Sequence, residues 1–401
     1  MLSVADAQAR ICRAFTPLPS ELVPISDVAN RVLAEPLPAL LDQPPAAVSA
    51  MDGYAVGSAD TRDPGADLLV IGEARAGGAG GLEIGTGECA RIFTGGVVPK
   101  GADAIAIQEE VQRTGDRAII KKAVAPGTFV RRRALDFARG EVLLEAGHLL
   151  SARDAGVAAA MGHAWANVRR RPRVAIVATG DELRLPGSQP EPGQIISSNS
   201  TMLAAMVRCF GGEPVDLGIR ADDQTTLDRW ARELNGYDLV LTSGGASVGD
   251  HDLVQSTLRR AGFELDFWKI AMRPGKPLMF AAQASTKLIG LPGNPVSAGV
   301  CTLIFVRGAI RTMLGLDPTL STLVGTTSDA LEANGPRQSY LRVRQMDAEN
   351  ARLKVIADGQ DSSQLAAFAS ADALIVRAPH AQPEDAGAEV TFIDLTAIAG
   401  F

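Results

Sequence analysis

Residues 173–182 read RVAIVATGDE and decide the fold of the chain. Val174–Ala178 is a continuous apolar run followed by a polar turn, a pattern typical of a strand that is buried on both faces of a sheet. The same pattern recurs downstream, where apolar runs alternate with stretches of helical periodicity. The further predicted strands are Val215–Ile219, Asp238–Leu241, Phe267–Ala271, Leu278–Ala281 and Lys287–Leu291. This alternation predicts an α/β fold with a doubly wound, mostly parallel sheet.

The segments that flank this α/β region carry other patterns. Short β-type runs between glycine-rich turns predict an inserted β-rich domain, and alternating runs past Pro318 predict a C-terminal β-barrel-like domain. The remaining segments, in part helical, are assigned to an elongated linker domain, whose first helix could instead pack on the α/β domain. The predicted domains are therefore 1–43 with 139–170 (linker), 44–138 (inserted), 171–318 (α/β) and 319–401 (C-terminal).

Two local patterns in the predicted linker domain indicate helices. Apolar residues recur through Val28–Glu35 at a spacing that predicts a short helix before Pro36. Ser151, followed by Asp154 three residues later, is typical of a helix N-terminus, and Gly162 is the expected stop.

The composition excludes several classes of protein. The chain has 401 residues, of which 46% are hydrophobic, and a formal net charge of -7, so it lacks the basic excess expected of a nucleic-acid-binding protein. Its four cysteines are scattered, which argues against a zinc ribbon or a disulfide framework and fits a reducing compartment. The apolar stretch Val296–Val306 is too short to span a bilayer and is expected to be a buried helix. We expect a soluble, cytoplasmic protein.

Polar segments follow several of the predicted strands, and ligands of open α/β sheets bind beyond the carboxyl ends of the strands. Ser243 to Ser247, within the run S-G-G-A-S-V-G-D-H-D, offers consecutive backbone N–H groups suited to a phosphate. Asn294 and Pro295 place a second helix N-terminus at the same edge. A single such segment is more often a turn or a helix cap than a ligand site, but their convergence predicts a binding cleft. The residues expected to form the ligand site are Ser243, Gly244, Gly245, Ser247 and Gly249, followed by Pro292, Gly293, Asn294 and Pro295.

Charged residues in these segments indicate the chemistry of the cleft. Carboxylates beside phosphate groups require a bridging hard cation, so charge balance predicts Mg²⁺. The expected ligands are Glu182, Asp222 and Asp252. The cationic side of the pocket is expected to come from Lys269, Arg273 and Lys276, although a solvated basic loop would have the same composition.

Taken together, these segments resemble one family. The runs T-G-D-E-L, S-G-G-A-S-V-G-D-H-D, R-P-G-K-P and L-P-G-N-P-V-S, with S-A-M-D-G-Y-A at 49–55 and T-G-G-V-V-P-K-G-A-D at 94–103, are similar to motifs of the molybdopterin molybdenumtransferase family (MoeA and the matching domain of gephyrin). The resemblance covers nearly the whole chain. Among the departures, Arg273 stands where Lys is typical, and Asp361 replaces a usual Gly.

The resemblance implies a function, partners and further site residues. It implies an enzyme that inserts molybdenum from molybdate into adenylylated molybdopterin, with Mg-dependent cleavage of the adenylate and release of AMP. Asp52, Thr94 and Asp136 of the inserted domain would complete the cleft of a second subunit in a homodimer, whereas Arg337 and Ser362 would line it from the C-terminal domain. A molybdopterin adenylyltransferase and molybdoenzyme apoproteins are implied as partners.

Two alternative functions stay open at this stage. The related single-domain adenylyltransferases make the adenylate, but the additional domains at 44–138 and 319–401 argue against that activity. A non-enzymatic scaffold, as in the receptor-clustering role of gephyrin, is disfavoured by the complete set of acidic and basic cleft residues.

Overall fold

The computed structural model describes residues 1–78, 80–221, 233–234, 236–244, 253–284, 286–347 and 351–398. The chain divides into two compact units. Unit 1 contains Met1–Glu21 and Arg169–Phe401, and unit 2 contains Leu22–Val168. The finer division into four domains remains a prediction.

A six-stranded sheet forms the centre of unit 1 and confirms the predicted α/β class. Its strands, in spatial order, are Glu213–Arg220, Arg173–Thr179, Leu239–Ser243, Thr286–Leu291, Met279–Gln283 and Glu264–Trp268. The first four run parallel, and the last two join through antiparallel pairings. Ala178 lies opposite Ser243, which lies opposite Leu291. Three neighbouring strands therefore end at the same level, and the loops that follow them begin at one edge of the sheet.

Apolar helices and strands supply the core of unit 1. The helices described in this unit are Val4–Arg13, Asn199–Cys209, Leu253–Arg260, Pro295–Cys301, Arg307–Met313 and Leu365–Ala369. A π-helical segment, Thr302–Val306, joins two of them into the continuous run Pro295–Met313. This run is long and apolar enough to cross a membrane, but 83% of its most apolar window is buried inside the protein. The prediction of a buried helix at Val296–Val306 is therefore confirmed.

The C-terminal part of unit 1 is a small closed barrel. Its strands are Leu323–Thr327, Gln338–Asp347, Arg352–Val355, Ala373–Arg377 and Glu389–Asp394. The strand Gln338–Asp347 pairs on both sides within the barrel and also forms a parallel pairing with Met272–Arg273. The barrel is thereby hydrogen-bonded directly to a loop of the α/β region.

Unit 2 contains its own mixed six-stranded sheet. In spatial order the strands are Ala104–Ile107, Gly53–Val56, Glu88–Ile92, Ala66–Ala74, Arg117–Ile120 and Val111–Thr114. Antiparallel ribbons join Val48–Ser49 to Val130–Arg131, and Leu37–Pro38 to Val142–Leu144. The unit also has the helix Ala152–Ala160. Its β-rich composition agrees with the sequence pattern of 44–138.

The predicted helix over Val28–Glu35 is wrong. The chain makes a turn there, in which Asn30 adopts a positive φ of 61°, and single bridges then link Val32 to Leu149 and Leu33 to Val168. Val28 and Leu33 are both fully buried, in one hydrophobic cluster. Val28 and Leu33 are buried because the turn brings both into the same cluster. The spacing of these apolar residues in the sequence therefore resembled that of the buried face of a helix.

The helix predicted to follow Ser151 is present and begins with a complete capping box. The Ser151 hydroxyl accepts a hydrogen bond from the Asp154 amide at 3.3 Å, and the Asp154 carboxylate accepts one from the Ser151 amide at 2.7 Å. His148 contacts the same carboxylate, and these hydrogen bonds lower the pKa of Asp154 to about 2. The side chains of Ser151 and Asp154 therefore stabilise the first turn of the helix.

Replacing Ser151 with alanine should weaken this helix by about 1 kcal/mol, because one amide of the first turn loses its acceptor. Amide hydrogen exchange across Ala152–Ala160 should accelerate roughly fivefold. Ser188→Ala, at an exposed serine outside any helix, is the matched control. Equal exchange in wild type and Ser151→Ala would contradict the assignment.

Candidate functional site

A cleft of about 780 Å³ opens at the carboxyl ends of the three aligned strands of unit 1. Residues at the ends of these strands line the cleft. Thr179 is the last residue of its strand, and Gly180, Gly244 and Pro292 each come directly after a strand. The remaining wall comes from the loop after Met272–Arg273 and from the barrel. Of the residues predicted from the sequence, those that line it are Glu182, Gly244, Arg273, Lys276, Pro292, Gly293, Asn294, Arg337 and Ser362.

Three cationic side chains face this cleft. Arg273 and Lys276 come from the R-P-G-K-P loop, and Arg337 comes from the segment that enters the barrel. The pairing of Met272 with Gln338 and of Arg273 with Ser339 brings the two segments together. Within the described part of the chain, none of the three cations forms an ion pair. The cleft therefore presents three cations that are not held in ion pairs, together with the carboxylates of Glu182, Asp358 and Asp361, which line the same cleft.

Glu182 is the described member of the predicted metal-binding set. Its carboxylate lines the cleft and lies so close to Gly180 that a Cβ there would be 2.5 Å from Glu182 Oε2. Mg²⁺ is commonly held by one or two carboxylates together with phosphate oxygens, so the exposed carboxylate of Glu182 could serve as a ligand of this ion. The described residues contain no group of three or more His, Cys, Asp or Glu side chains arranged around a metal position.

Asn199 fixes the floor of the cleft and was missed by the sequence analysis. Its side-chain amide donates to Ser243 Oγ and to the Gly293 carbonyl, each at 2.7 Å. These bonds connect the ends of two neighbouring strands, and Ser243 is buried behind the cleft surface. The run S-S-N-S at 197–200, which spans the start of the helix Asn199–Cys209, was the available signal.

Gly244 is required by the close approach of two strand ends. Its φ is +95°, and a Cβ at this position would lie 2.4 Å from the Thr179 carbonyl oxygen. No other residue type fits this backbone geometry without displacing the neighbouring strand. The first glycine of the predicted phosphate loop therefore has a structural reason to be glycine.

The barrel is tied to the start of the helix that follows the L-P-G-N-P segment. Asn294 Nδ2 donates to Ser362 Oγ at 2.7 Å, and the Val296 amide donates to the Ser362 carbonyl at 3.0 Å. Pro295 is the first residue of this helix but does not line the cleft. Ser362 thus closes the junction between the α/β region and the barrel.

Arg342 supports this part of the wall from inside the barrel. Its side chain is only 1% exposed, and its guanidinium donates to the carbonyls of Gly359 and Asp361. The Gln360 side chain adds bonds to both backbone groups of Arg342, at 3.1 and 2.9 Å. Gln360 and Asp361 line the cleft, and hydrogen bonds from Ser363 lower the pKa of Asp361. The sequence analysis missed this supporting arginine.

Lys269 does not line the cleft as the structure describes it. Its ammonium group lies over the Trp268 ring, 4.1 Å from the ring centroid, and its backbone has a φ of +79°. This cation–π contact joins the last residue of the strand Glu264–Trp268 to the residue that follows it. The predicted role of Lys269 in anion binding remains a prediction.

The predicted residues of the inserted domain lie in unit 2. Asp52 Oδ1 accepts hydrogen bonds from the Thr94 amide at 2.7 Å and from the Thr94 hydroxyl at 2.8 Å. These bonds lower the pKa of Asp52, which is therefore ionised at neutral pH. Asp136 is exposed, and its amide donates to the Gln43 carbonyl. Asp52 and Thr94 are thus held together as one unit.

Several predicted residues fall outside the part of the chain that the structure describes. They are Asp222, Gly245, Ser247, Gly249 and Asp252. Their predicted roles as metal ligands and phosphate contacts remain predictions.

Comparison with protein families gives matches along most of the chain. Residues 2–162 match the MoeA N-terminal region (domain I and II), residues 175–312 match a probable molybdopterin binding domain, and residues 324–395 match the MoeA C-terminal region (domain IV).

Individual relatives agree with these family matches. A molybdopterin molybdenumtransferase from Nostoc sp. is 37% identical over 334 residues, which are 80% of this chain and 76% of the relative. Molybdopterin molybdenumtransferase 2 from Mycobacterium tuberculosis is 38% identical over 77% of this chain and 78% of its own. Two solved structures of the molybdopterin biosynthesis MoeA protein from Pyrococcus horikoshii have TM-scores of 0.86 and 0.81 and identities of 28% and 27%. They cover 98% of this chain and at least 99% of theirs.

Arg342→Met should loosen the cleft wall that the guanidinium supports. The buried Gly359 carbonyl would lose its donor at a cost of ~1–3 kcal/mol, and the Asp361 carbonyl would lose one as well, so amide exchange across 356–364 should accelerate at least about fivefold. Arg344→Met is the matched control, because Arg344 lies on the same strand but is exposed. Similar exchange in the two variants would contradict a supporting role for Arg342.

Proposed function

This chain belongs to the molybdopterin molybdenumtransferase family, and from that premise we propose that it inserts molybdenum from molybdate into adenylylated molybdopterin and releases AMP. The family consists of enzymes of molybdenum cofactor biosynthesis, and the fold, an α/β unit with a C-terminal β domain, is that of the MoeA protein.

The observation that supports this function most directly is the charge distribution in the cleft. Among the described residues, Arg273, Lys276 and Arg337 form no ion pair, and the carboxylates of Glu182, Asp358 and Asp361 line the same cleft. A polyanionic ligand matches the three cations, whereas acidic side chains beside phosphates call for a divalent cation. Adenylylated molybdopterin, molybdate and Mg²⁺ together satisfy both requirements.

The residues that line the cleft would have separate roles in binding the substrates and the metal ion. Arg273 and Lys276 would bind molybdate and the phosphates of the substrate, and Arg337 would neutralise charge from the barrel side. Glu182, with the predicted ligands Asp222 and Asp252, would hold Mg²⁺, which supplies positive charge to the phosphoanhydride when bound. Water would attack the phosphoanhydride, so that AMP leaves and the phosphate of molybdopterin is freed. The two dithiolene thiols would replace two oxygens of molybdate, which leave as water, and molybdenum keeps its oxidation state.

The proposal includes a homodimer with clefts shared between subunits. Asp52 and Thr94 are joined by two hydrogen bonds in unit 2, and the exposed carboxylate of Asp136 lies in the same unit. We expect these groups to reach the cleft of a second copy of the chain. The enzyme would act in the cytoplasm, with adenylyltransferases and molybdoenzyme apoproteins as its partners.

The alternative activities can be separated by their substrates. An adenylyltransferase would form adenylylated molybdopterin from ATP and molybdopterin, whereas the proposed enzyme would release AMP from the adenylate only when molybdate is present. A scaffold would bind a partner protein without turnover. Anaerobic incubation with adenylylated molybdopterin, molybdate and Mg²⁺, scored by AMP, therefore identifies the proposed enzyme. A second incubation with ATP and molybdopterin separates an adenylyltransferase from a scaffold.

Glu182→Gln should reduce AMP release at least about a hundredfold, because it removes an anionic ligand from the predicted metal position. The thermal unfolding midpoint should not change, since Glu182 is exposed. Glu191→Gln, at an exposed glutamate outside the cleft lining, should retain wild-type activity. Full activity of Glu182→Gln would refute the assigned role.

Mixing two inactive variants should test whether the clefts are shared. Asp52→Ala and Glu182→Gln should each be inactive, but their mixture should recover about a quarter of the wild-type rate. Random pairing would make half of the dimers mixed, and each mixed dimer would contain one complete cleft.

The double variant Asp52→Ala/Glu182→Gln, mixed with either single variant, should give no activity and serves as the control. If the two single variants together also give none, each cleft is built from one chain and the shared arrangement is wrong.

A further inference from the structure

The loop that carries two of the cleft cations packs against a buried cysteine. This cationic loop, residues 273–277, includes Gly275, whose φ is +109°. A Cβ on Gly275 would lie only 2.5 Å from Cys301 Sγ. The Cys301 thiol donates a hydrogen bond to the Gly275 carbonyl, with 3.8 Å between sulfur and oxygen. The sulfur therefore occupies the space that a side chain at position 275 would need.

Cys301 is itself held in a fixed place. It is the last residue of the helix Pro295–Cys301 and is completely buried. The start of this helix is bonded to the barrel, because the Val296 amide donates to the Ser362 carbonyl at 3.0 Å. Burial raises the pKa of the Cys301 thiol, so the thiol stays protonated and chemically inert. The sulfur thus acts on the loop through its size and its weak hydrogen bond.

The backbone of the loop is attached on both sides of Gly275. Arg273 belongs to the short strand that pairs with the barrel. The Lys276 carbonyl accepts a hydrogen bond from the Ile270 amide at 3.1 Å. Gly275 lies between these two attachments, and it meets the helix through Cys301. The contact between Gly275 and the sulfur therefore decides how far this part of the loop stands from the helix.

We propose that Cys301 is a positioning residue for oxyanion binding, because its sulfur sets the place of Gly275 and thereby the geometry in which Arg273 and Lys276 face the cleft. The inference rests on the proposed function, in which these two cations bind molybdate and the substrate phosphates. Hydrogen bonds from a cation to an oxyanion weaken when distance or angle changes. A displaced loop would therefore bind anions less tightly although both cations are still present.

The test is a cycle of three variants of the full-length protein, namely Gly275→Ala, Cys301→Ala and the double variant. Their affinities for molybdate and for pyrophosphate are measured by calorimetry. Gly275→Ala places a methyl group against the sulfur, so the loop must move, and both anions should bind at least about tenfold more weakly, as for a lost hydrogen bond to a charged group. Cys301→Ala removes the support of the loop and should weaken binding about threefold, as for one weak hydrogen bond.

The double variant should bind both anions more tightly than Gly275→Ala does, because the alanine methyl group can enter the space that the sulfur has left. If the two residues acted only on stability, their effects would be independent and the double variant would be the weakest of the three.

Gly387→Ala is the control for the strain of alanine at a positive φ. Gly387 has a φ of +91°, a Cβ there would meet no described atom within 4 Å, and the residue does not line the cleft. This variant should bind both anions as the wild type does.

The outcomes separate this inference from the proposed function. Wild-type affinity in Gly275→Ala, or a double variant no better than Gly275→Ala, would overturn the role of Cys301 while anion binding by the wild type leaves the proposed function in place. If the wild type binds pyrophosphate but not molybdate, the proposed function fails, and the cycle with pyrophosphate still decides the role of Cys301. If the wild type binds neither anion, both proposals fail.

Discussion

The register between three parallel strands is the constraint on which the cleft depends. Because Ala178, Ser243 and Leu291 lie side by side, the loops that follow these residues start at one level of the sheet. The Asn199 amide maintains this arrangement by bonding to Ser243 and to Gly293. Gly244 permits it, since any side chain there would collide with Thr179. A shift of one strand would separate Glu182 from the segments at the ends of the two neighbouring strands, where phosphate binding is predicted.

The barrel contributes the second half of the site through hydrogen bonds. Its strand Gln338–Asp347 pairs with Met272–Arg273, and Ser362 bonds to both Asn294 and Val296. Arg342 then fixes the backbone that carries Gln360 and Asp361. A cationic loop and a barrel loop are in this way held at a fixed spacing, as preorganised binding of a multiply charged substrate requires.

Sequence patterns and tertiary contacts differ in what they can predict about the site. Arg273, Lys276 and Glu182 were predicted because each follows an apolar strand within a recognisable motif, and all three line the cleft. The same holds for Pro292, Gly293 and Asn294 of the L-P-G-N-P segment. Arg342 was missed because the alternation of residues along its strand does not reveal its burial. Arg344, two residues further along the same strand, has the same place in the alternation, yet Arg342 is buried and Arg344 is exposed. Lys269 was expected in the pocket, but its ammonium group lies against Trp268.

The α/β class, the family and half of the residues that line the cleft could be predicted from the sequence, because buried strands and the turns that follow them have local signatures. Tertiary contacts alone show that Val28–Glu35 is not a helix and that Asn199 and Arg342 support the cleft. These features depend on which distant segments meet, and burial and hydrogen-bond partners between such segments leave no periodic pattern in the chain.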